Sequence, residues 1–424
     1  MSRSSAAHYS EIKISNGSKE VSLGDSPSFN GVYVTGIEYF ESVYSPMITL
    51  NLAEIDVGGA VVDDKNRLGT VKNSLPIMGN EDLKIKIETE SGILDLTKYP
   101  LKVNGSPTTG QEVNRQSVLI PAVSQHEMKN RDIAVRSRHK GQISEMVSKI
   151  FGFLTVPPNS APDINIEKTK NNDGVIGRGK TPFELISGLC TKAIPEQGDP
   201  GFFFYETQDG FNFRSIDSLI KQEPVATYRY EGVLTSGLSD ASNDFKILAP
   251  PISSKDQDVL KALKSGAYSC RVITTNPMSW ECKESFVNLA PETTLGKKEE
   301  SVQVKDHLKT FNHILDIGSY DPSILKEDEN NPYVWRAKSS MRYDVLHSQI
   351  MNIQVPCNVE LRAGDVIRCE IENVTLDNKV NQSINEHQSG KYLILHLCHH
   401  FDPERSYTSM TLARDTYGLY TKNT

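Results

Sequence analysis

PMITLNLAEI, residues 46–55, decides the class of fold. Ile48, Leu50 and Leu52 alternate with Thr49 and Asn51, so apolar side chains fall on one side of an extended chain and polar ones on the other. DLKIKIET at 82–89 repeats the period, with Leu83, Ile85 and Ile87 between Lys84, Lys86 and Glu88. Gly58-Gly59, Gly79-Asn80 and Ser91-Gly92 punctuate these runs as turns. Short half-buried strands between turn signals predict an antiparallel sandwich or barrel for the first hundred or so residues.

Beyond about residue 110 the pattern becomes mixed α and β. ISEMVSKIF puts Ile143, Met146, Val147 and Ile150 on one helical stripe, stopped by Gly152 and Pro157-Pro158. A second helix opens at Thr181, with Pro182 in its first position and Glu184 completing a capping box; Phe183, Ile186, Leu189, Cys190 and Ala193 form its apolar face. FFFYETQDGFNFRSI at 202–216 then reads as two aromatic strands joined around Asp209-Gly210. Phe202, Phe203, Phe204, Phe211 and Phe213 suit a domain core, or the centre of an interface between chains. A third helix spans roughly 255–264, with Ser254 and Gln257 in capping-box register and Gly266 at its end. Residues 291–333, with the charge clusters KKEES and KEDENNP, read as a linker in which Phe311, Ile314 and Leu315 dock locally. Past Trp335 the reading returns to strands: VIRCEI at 366–371, then KYLILHLCHH and SYTSMTLARD as a final pair.

The 424 residues carry 46 Lys plus Arg against 54 Asp plus Glu, a formal charge of −8, with 37% hydrophobic and 24% charged residues. That is enough chain for two to four domains. No run approaches the roughly 18 apolar residues that span a bilayer, and no apolar stretch follows MSRSSAAHYSEIKIS, so neither a membrane span nor a signal peptide is expected. Cys190, Cys270, Cys282, Cys357, Cys369 and Cys398 are scattered without a CxxC pair and read as small buried apolar residues of a reducing compartment. Net acidity argues against attraction of the whole chain to nucleic acid.

Two motifs invite chemistry. GVIGRGKT, Gly174 to Thr181, satisfies the phosphate-loop pattern, but the preceding EKTKNND is too polar for the buried strand such a loop follows, and Pro182 removes a first-turn amide. The glycines read better as a loop entering a capped helix. His396, Cys398 and His400 would share one face of a strand, with His399 opposite; these are zinc-ligand types at an unusual spacing, and strand packing is the preferred reading. There is no Gly-x-Ser-x-Gly elbow. Nothing commits the chain to catalysis or to a cofactor.

Four ordered segments closely resemble the central baseplate hub protein of contractile-tailed bacteriophages, a family related to the hub portion of type VI secretion spike proteins. They are YFESVYSPMITLNLAEID (39–56) with LPIMGNEDLKIKIET (75–89); QSVLIPAVSQHEMKNRDIAVRSRHKGQISEMVSKIF (116–151); TPFELISGLCTKAI (181–194) with GFFFYETQDGFNFRSIDSLI (201–220); and VPCNVELRAGDVIRCEI (355–371) with GKYLILHLCHHFDPERSYTSMTLARD (390–415). The signature positions are Leu75, Pro76, Gly79, Glu81, Phe204, Tyr205, Gly210, Phe211, Phe213, Arg214, Ser215, Gly364 and Asp365. Cys357 stands where the family commonly has a turn Gly, and 291–333 matches no family pattern.

The resemblance implies a mainly β fold with α+β insertions: two tandem related antiparallel β-barrels, tail-tube-like, plus smaller α/β domains. The expected division is 8–108 for the first barrel, 109–225 for a mixed α/β segment with the aromatic hairpin that lends strands to the second barrel, 226–333 for an α/β segment and polar linker, and 334–424 for the second barrel. Gly79-Asn80 before LKIKIE and Gly364-Asp365 before IRCEIE are a faint echo of duplication. The implied role is structural: a homotrimer whose six barrels adapt a sixfold tail tube to a threefold spike and surround the channel for genome ejection. Implied partners are the trimeric central spike protein on a separate chain, the first ring of tail tube protein, baseplate wedge proteins and the tape measure protein. DNA would be met only in transit, past an acidic channel, with no stable membrane binding. The implied place is the virion tail baseplate, after assembly in the bacterial cytoplasm. The alternatives are a hub of a secretion or injection machine, or a P-loop nucleotide-binding protein.

Overall fold

The computed structural model of the chain describes residues 7–23, 32–58, 61–62, 68–75, 77–155, 163–230, 244–255, 259–276, 280–289, 294–295, 309–314, 332–373 and 384–416. The period-two runs are strands. Thr49–Asp56 buries Leu50 and Leu52 on one face, and Asp82–Thr89 buries Leu83, Ile85 and Ile87, each essentially inaccessible to solvent. Full burial of such side chains stabilises by about 1.5–3 kcal/mol each, which is why the alternation dictates which face turns inward.

The fold is mainly β with α+β insertions. Among the described residues, 15 strands join into one hydrogen-bonded sheet whose two halves enclose separate cores. In the first half Val32–Ser42, Thr49–Asp56, Gln116–Ser124, Leu101–Val103, Asp82–Thr89 and His8–Ser15 pair antiparallel in that order. Gln116–Ser124 thus lies in the first half, hydrogen-bonded along its length to Thr49–Asp56. In the second half Ile252–Lys255, Gln349–Pro356, Ser406–Arg414, Gly390–Phe401 and Val366–Ile371 pair antiparallel, and Thr227–Tyr230 adds parallel to Val366–Ile371.

One strand belongs to both halves. Along one edge of Gly390–Phe401, residues 390–393 pair with Val366–Ile371, whereas residues 396–401 pair with Val32–Ser42. The register against Ser406–Arg414 shifts between Ile394 and His396, where the strand passes from one neighbour to the other. An extra residue there bends the strand and strengthens its twist, which directs the two halves to different cores.

Among the described residues neither ladder closes on itself, so the expected barrels are rolled sheets. Their edges are brought together by other means. The Tyr9 hydroxyl donates to the Phe401 carbonyl at 2.9 Å, fastening His8–Ser15 to the far side of the first roll. In the second roll the irregular segment 245–248 reaches both edges: Arg229 N donates to Phe245 O and Ile247 N to Arg229 O, while Leu248 N donates to Gln354 O. An irregular segment makes only some of the ladder's bonds, and closure is correspondingly incomplete.

The α/β portion packs against the hairpin. Helices Ile143–Phe151 and Pro182–Cys190 share a core with Phe202, Phe204, Phe211 and Phe213. The capping box at Thr181 and Glu184 is formed, and the hairpin strands Phe202–Thr207 and Gly210–Ser215 are in register from Phe202 opposite Ser215 to Thr207 opposite Gly210. The third helix runs Val259–Ser265; Gln257 lies outside the described residues.

Three sequence expectations need correction. The chain does not return to strands directly after Trp335, because Pro332–Leu346 is a helix that buries Ala337, Met341 and Val345 at helical spacing. Part of the expected linker is the strand Lys309–Ile314, paired parallel with Ser269–Asn276; Leu315 lies outside the described residues. Cys282 is exposed, on the solvent side of Glu281–Asn288, while the other five cysteines are buried.

Candidate functional site at the joint between the two rolls

The strand Val32–Ser42 carries its alternation one step beyond apolar residues. Ile37 and Tyr39 point inward and so does Glu41, which is 2% exposed. A carboxylate in the buried phase of a strand needs donors. Glu41 Oε1 accepts from the Tyr39 hydroxyl at 2.7 Å and from Gln208 N at 2.8 Å, and Oε2 accepts from Ala363 N at 2.9 Å. Gln208 is in the hairpin turn and Ala363 in the turn before Val366–Ile371, so one side chain ties together the first roll, the hairpin and the second roll. Burial raises the Glu41 pKa to about 7, against the opposing pull of the Arg362 guanidinium and these hydrogen bonds.

Arg362 continues the joint. Its guanidinium forks onto Asp209, Nε to Oδ2 at 2.8 Å and Nη2 to Oδ1 at 3.3 Å, a bidentate geometry that fixes the hairpin tip against the turn. Its own amide donates to Asp365 Oδ2 at 2.9 Å, closing the turn from within. Burial holds Asp365 above the usual carboxylate range. Gly364, at φ +91°, lets this turn pass the hairpin: a Cβ there would lie 2.3 Å from the Tyr205 hydroxyl. On the other side of the hairpin Glu206 accepts from Ile48 N at 3.1 Å and meets His126 Nδ1 at 3.1 Å.

A second buried cluster locks the far side. Arg342 Nη2 lies 2.9 Å from Asp217 and Nη1 3.0 Å from Asp415, with all three groups at most 1% exposed. Asp415 also accepts from Leu295 N, and Asp217 from Asp199 N.

Of the signature residues, the structure brings Tyr205, Gly364 and Asp365 together at this joint. Phe204, Phe211 and Phe213 are in the α/β core, and Gly210, at φ +125°, packs where a Cβ would meet Asp163 O at 2.6 Å. Arg214 donates to Gln222 and the Ser218 carbonyl; Ser215 caps the helix Ile216–Ile220 and is held by Glu167. Leu75, Gly79 and Glu81 lie apart from these, in the first roll, where Glu81 accepts from the amides of Met78 and Gly79. Pro76 lies outside the described residues. Glu41, Glu206, Arg362 and the Arg342 cluster were missed by sequence reasoning; the usable signal was an acid in a buried strand phase, present at Glu41 and again at Glu54.

The two chemistry-bearing motifs are occupied by structure. The amides of Gly177, Gly179 and Lys180 donate to Ser137 O, Val135 O and Gly177 O, and the first-turn amides of Phe183 and Glu184 to Asn130 and Thr181 side chains. Those groups are therefore already committed and are not aimed at a phosphate. On Gly390–Phe401, His396 lies against Tyr44, His400 stacks on Tyr407, and His399 is buried against Tyr39 with Nδ1 2.9 Å from Thr408 Oγ1. Among the described residues no group of three or more His, Cys, Asp or Glu side chains is placed to hold a metal ion. Also among them, no helix is long and apolar enough to cross a membrane.

No protein-family model matches the chain, and neither does any curated protein. Its fold is similar to solved structures. One is the tail protein from Neisseria meningitidis MC58, at TM-score 0.55 and 9% identity over 97% of this chain and 98% of that one. Another is the 43 kDa tail protein of prophage MuSo2 from Shewanella oneidensis, at TM-score 0.54 and 8% identity over 97% of this chain and 100% of that one. Across nearly its whole length, then, the chain has the fold of these tail proteins.

Proposed function

We infer that this chain is the structural baseplate hub of a contractile phage tail, a homotrimer that adapts the sixfold tail tube to a threefold central spike. The observation that carries the reading is the end-to-end likeness to two tail proteins, matched over almost all of both chains. The two rolled sheets fused through Gly390–Phe401 add a reason: three chains with two similar units each present six units around one axis, a pseudo-sixfold face on a threefold body. Such an adaptor has to hold its two units at a fixed angle. The shared strand, the Glu41 joint and the Arg342 cluster supply that rigidity with buried, fully bonded polar groups.

In this reading the role is mechanical and not enzymatic. The partners are a trimeric spike, the first ring of tube protein, wedge proteins and the tape measure protein, and the ejected genome passes through the ring. The protein belongs to the virion baseplate after assembly in the host cytoplasm. The test is the native mass of the purified chain, alone and mixed with its spike and tube proteins. The expected result is a species of about three times the 47.2 kDa chain. A monomer under every condition overturns the reading.

A further inference from the structure

We propose that the ribbon formed by Arg138–Gln142 and Asn172–Ile176, with the loop that follows it, is a docking surface for duplex DNA held through its phosphates. The proposal stands apart from the hub reading, because it rests on the charge of one exposed ribbon and not on the assembly of the chain. The chain is acidic as a whole, yet residues 129–192 hold eleven Lys and Arg against six Asp and Glu. The excess is concentrated on one small structure. Arg136, Arg138, Lys140, Arg178 and Lys180 are all exposed, on two antiparallel segments paired Arg138 to Ile176 and Lys140 to Gly174.

The ribbon has an inner and an outer face. Val175 packs against the α/β core, so its phase faces inward, while its half-buried cross-strand partner His139 meets the exposed Phe153 ring. Arg138 and Lys140 occupy the alternate phase, about 6.6 Å apart as alternate strand residues, and exposed Arg136 precedes them across the bend at Ser137. Arg178 and Lys180 come from a loop whose backbone is pinned to Val135 and Ser137, so they are presented from a fixed frame. The one acid in these two segments, Asp173, is held by Lys192 at 2.8 Å.

The choice of DNA over an acidic protein follows from what the face lacks. A protein interface needs an apolar centre with charges at its rim, whereas this face is cationic at its centre, with Ile176, 36% exposed, and the Phe153 ring against His139 as its exposed large apolar residues. Duplex DNA needs concentrated cations, since it carries one charge per about 1.7 Å and yields counterions when phosphates are neutralised. Phosphate contacts of this kind position without reading sequence.

The test is fluorescence anisotropy of a short labelled duplex titrated with the full chain. With about four phosphates engaged, affinity should fall roughly 100-fold between about 50 and 200 mM salt, with a log–log slope near −3.6. The variant R136Q/R138Q/K140Q should lose about 2.7 from the slope's magnitude. Its circular dichroism and melting temperature should match the parent, because the changed side chains are exposed. Lys13→Gln/Lys84→Gln, on a mixed-charge face, is the control expected to bind like the parent. No binding at low salt, or binding that the triple variant leaves unchanged, overturns the proposal. Equal affinity and slope for polyglutamate would overturn the assignment to DNA and point to an acidic protein instead. None of these results depends on whether the chain is trimeric, so the two readings fail separately.

Discussion

Gly364 and the Tyr205 hydroxyl touch so closely that a methyl group on Gly364 would lie 2.3 Å from the oxygen, and the Gly364 backbone is left-handed at φ +91°. Gly364→Ala is therefore expected to destabilise by about 2 kcal/mol or more, from left-handed strain plus displacement of the hairpin. Adding Tyr205→Phe should recover part of that loss by removing the nearest atom. Urea denaturation of the single and double variants measures both; an unchanged midpoint for Gly364→Ala would refute the contact.

Glu41 makes stability depend on pH. Its pKa rises from near 4.5 in the unfolded chain to about 7 when folded, because it is buried. Between those values the folded chain binds more protons, so this group's contribution is full below about pH 4.5 and is lost as pH climbs through 7. Glu54, raised to about 8 by burial and by Asp56, acts in the same direction, while buried His399, lowered to about 3, favours higher pH. The clean measurement is the stability difference between Glu41→Gln and the parent across pH 4 to 8. It should change by up to about 3 kcal/mol; a difference independent of pH counts against the assignment.

Arg342 neutralises two carboxylates that have no access to water. Arg342→Met leaves both buried and unpaired, which should cost about 3–5 kcal/mol, little relieved by salt. Limited proteolysis near the chain's end and chemical denaturation report the effect. A variant as stable as the parent would show that the cluster is not a lock.

Thiol accessibility separates the six cysteines. Cys282 is exposed, whereas burial encloses the others and pushes the thiols of Cys270 up to about 11 and of Cys369 and Cys398 up to about 12. The native chain should react rapidly with one equivalent of a thiol reagent and the unfolded chain with six. More than one fast equivalent would mean that at least one of the buried cores opens under native conditions.

The strands, the two long-predicted helices and the hairpin were legible because each rests on local chemistry. Leu50 and Leu52 alternate with polar residues, Thr181 and Glu184 cap whatever helix follows them, and Asp209-Gly210 turns the chain over a few residues. The helix Pro332–Leu346 was overlooked because its apolar residues are sparse among charged and polar ones.

By itself, then, the sequence determined which faces turn inward and where the chain reverses, through side-chain periodicity and backbone preference acting over short range. Tertiary structure alone decided that one strand would serve two sheets, that the sheets would roll without closing their ladders, and that Glu41 would meet Ala363 across 322 residues. It also set the glycine-rich loop with Arg178 and Lys180 beside Arg136, Arg138 and Lys140. Those outcomes depend on hydrogen-bond donors and charges supplied by distant segments. Local periodicity carries no record of which distant partner will satisfy a buried group.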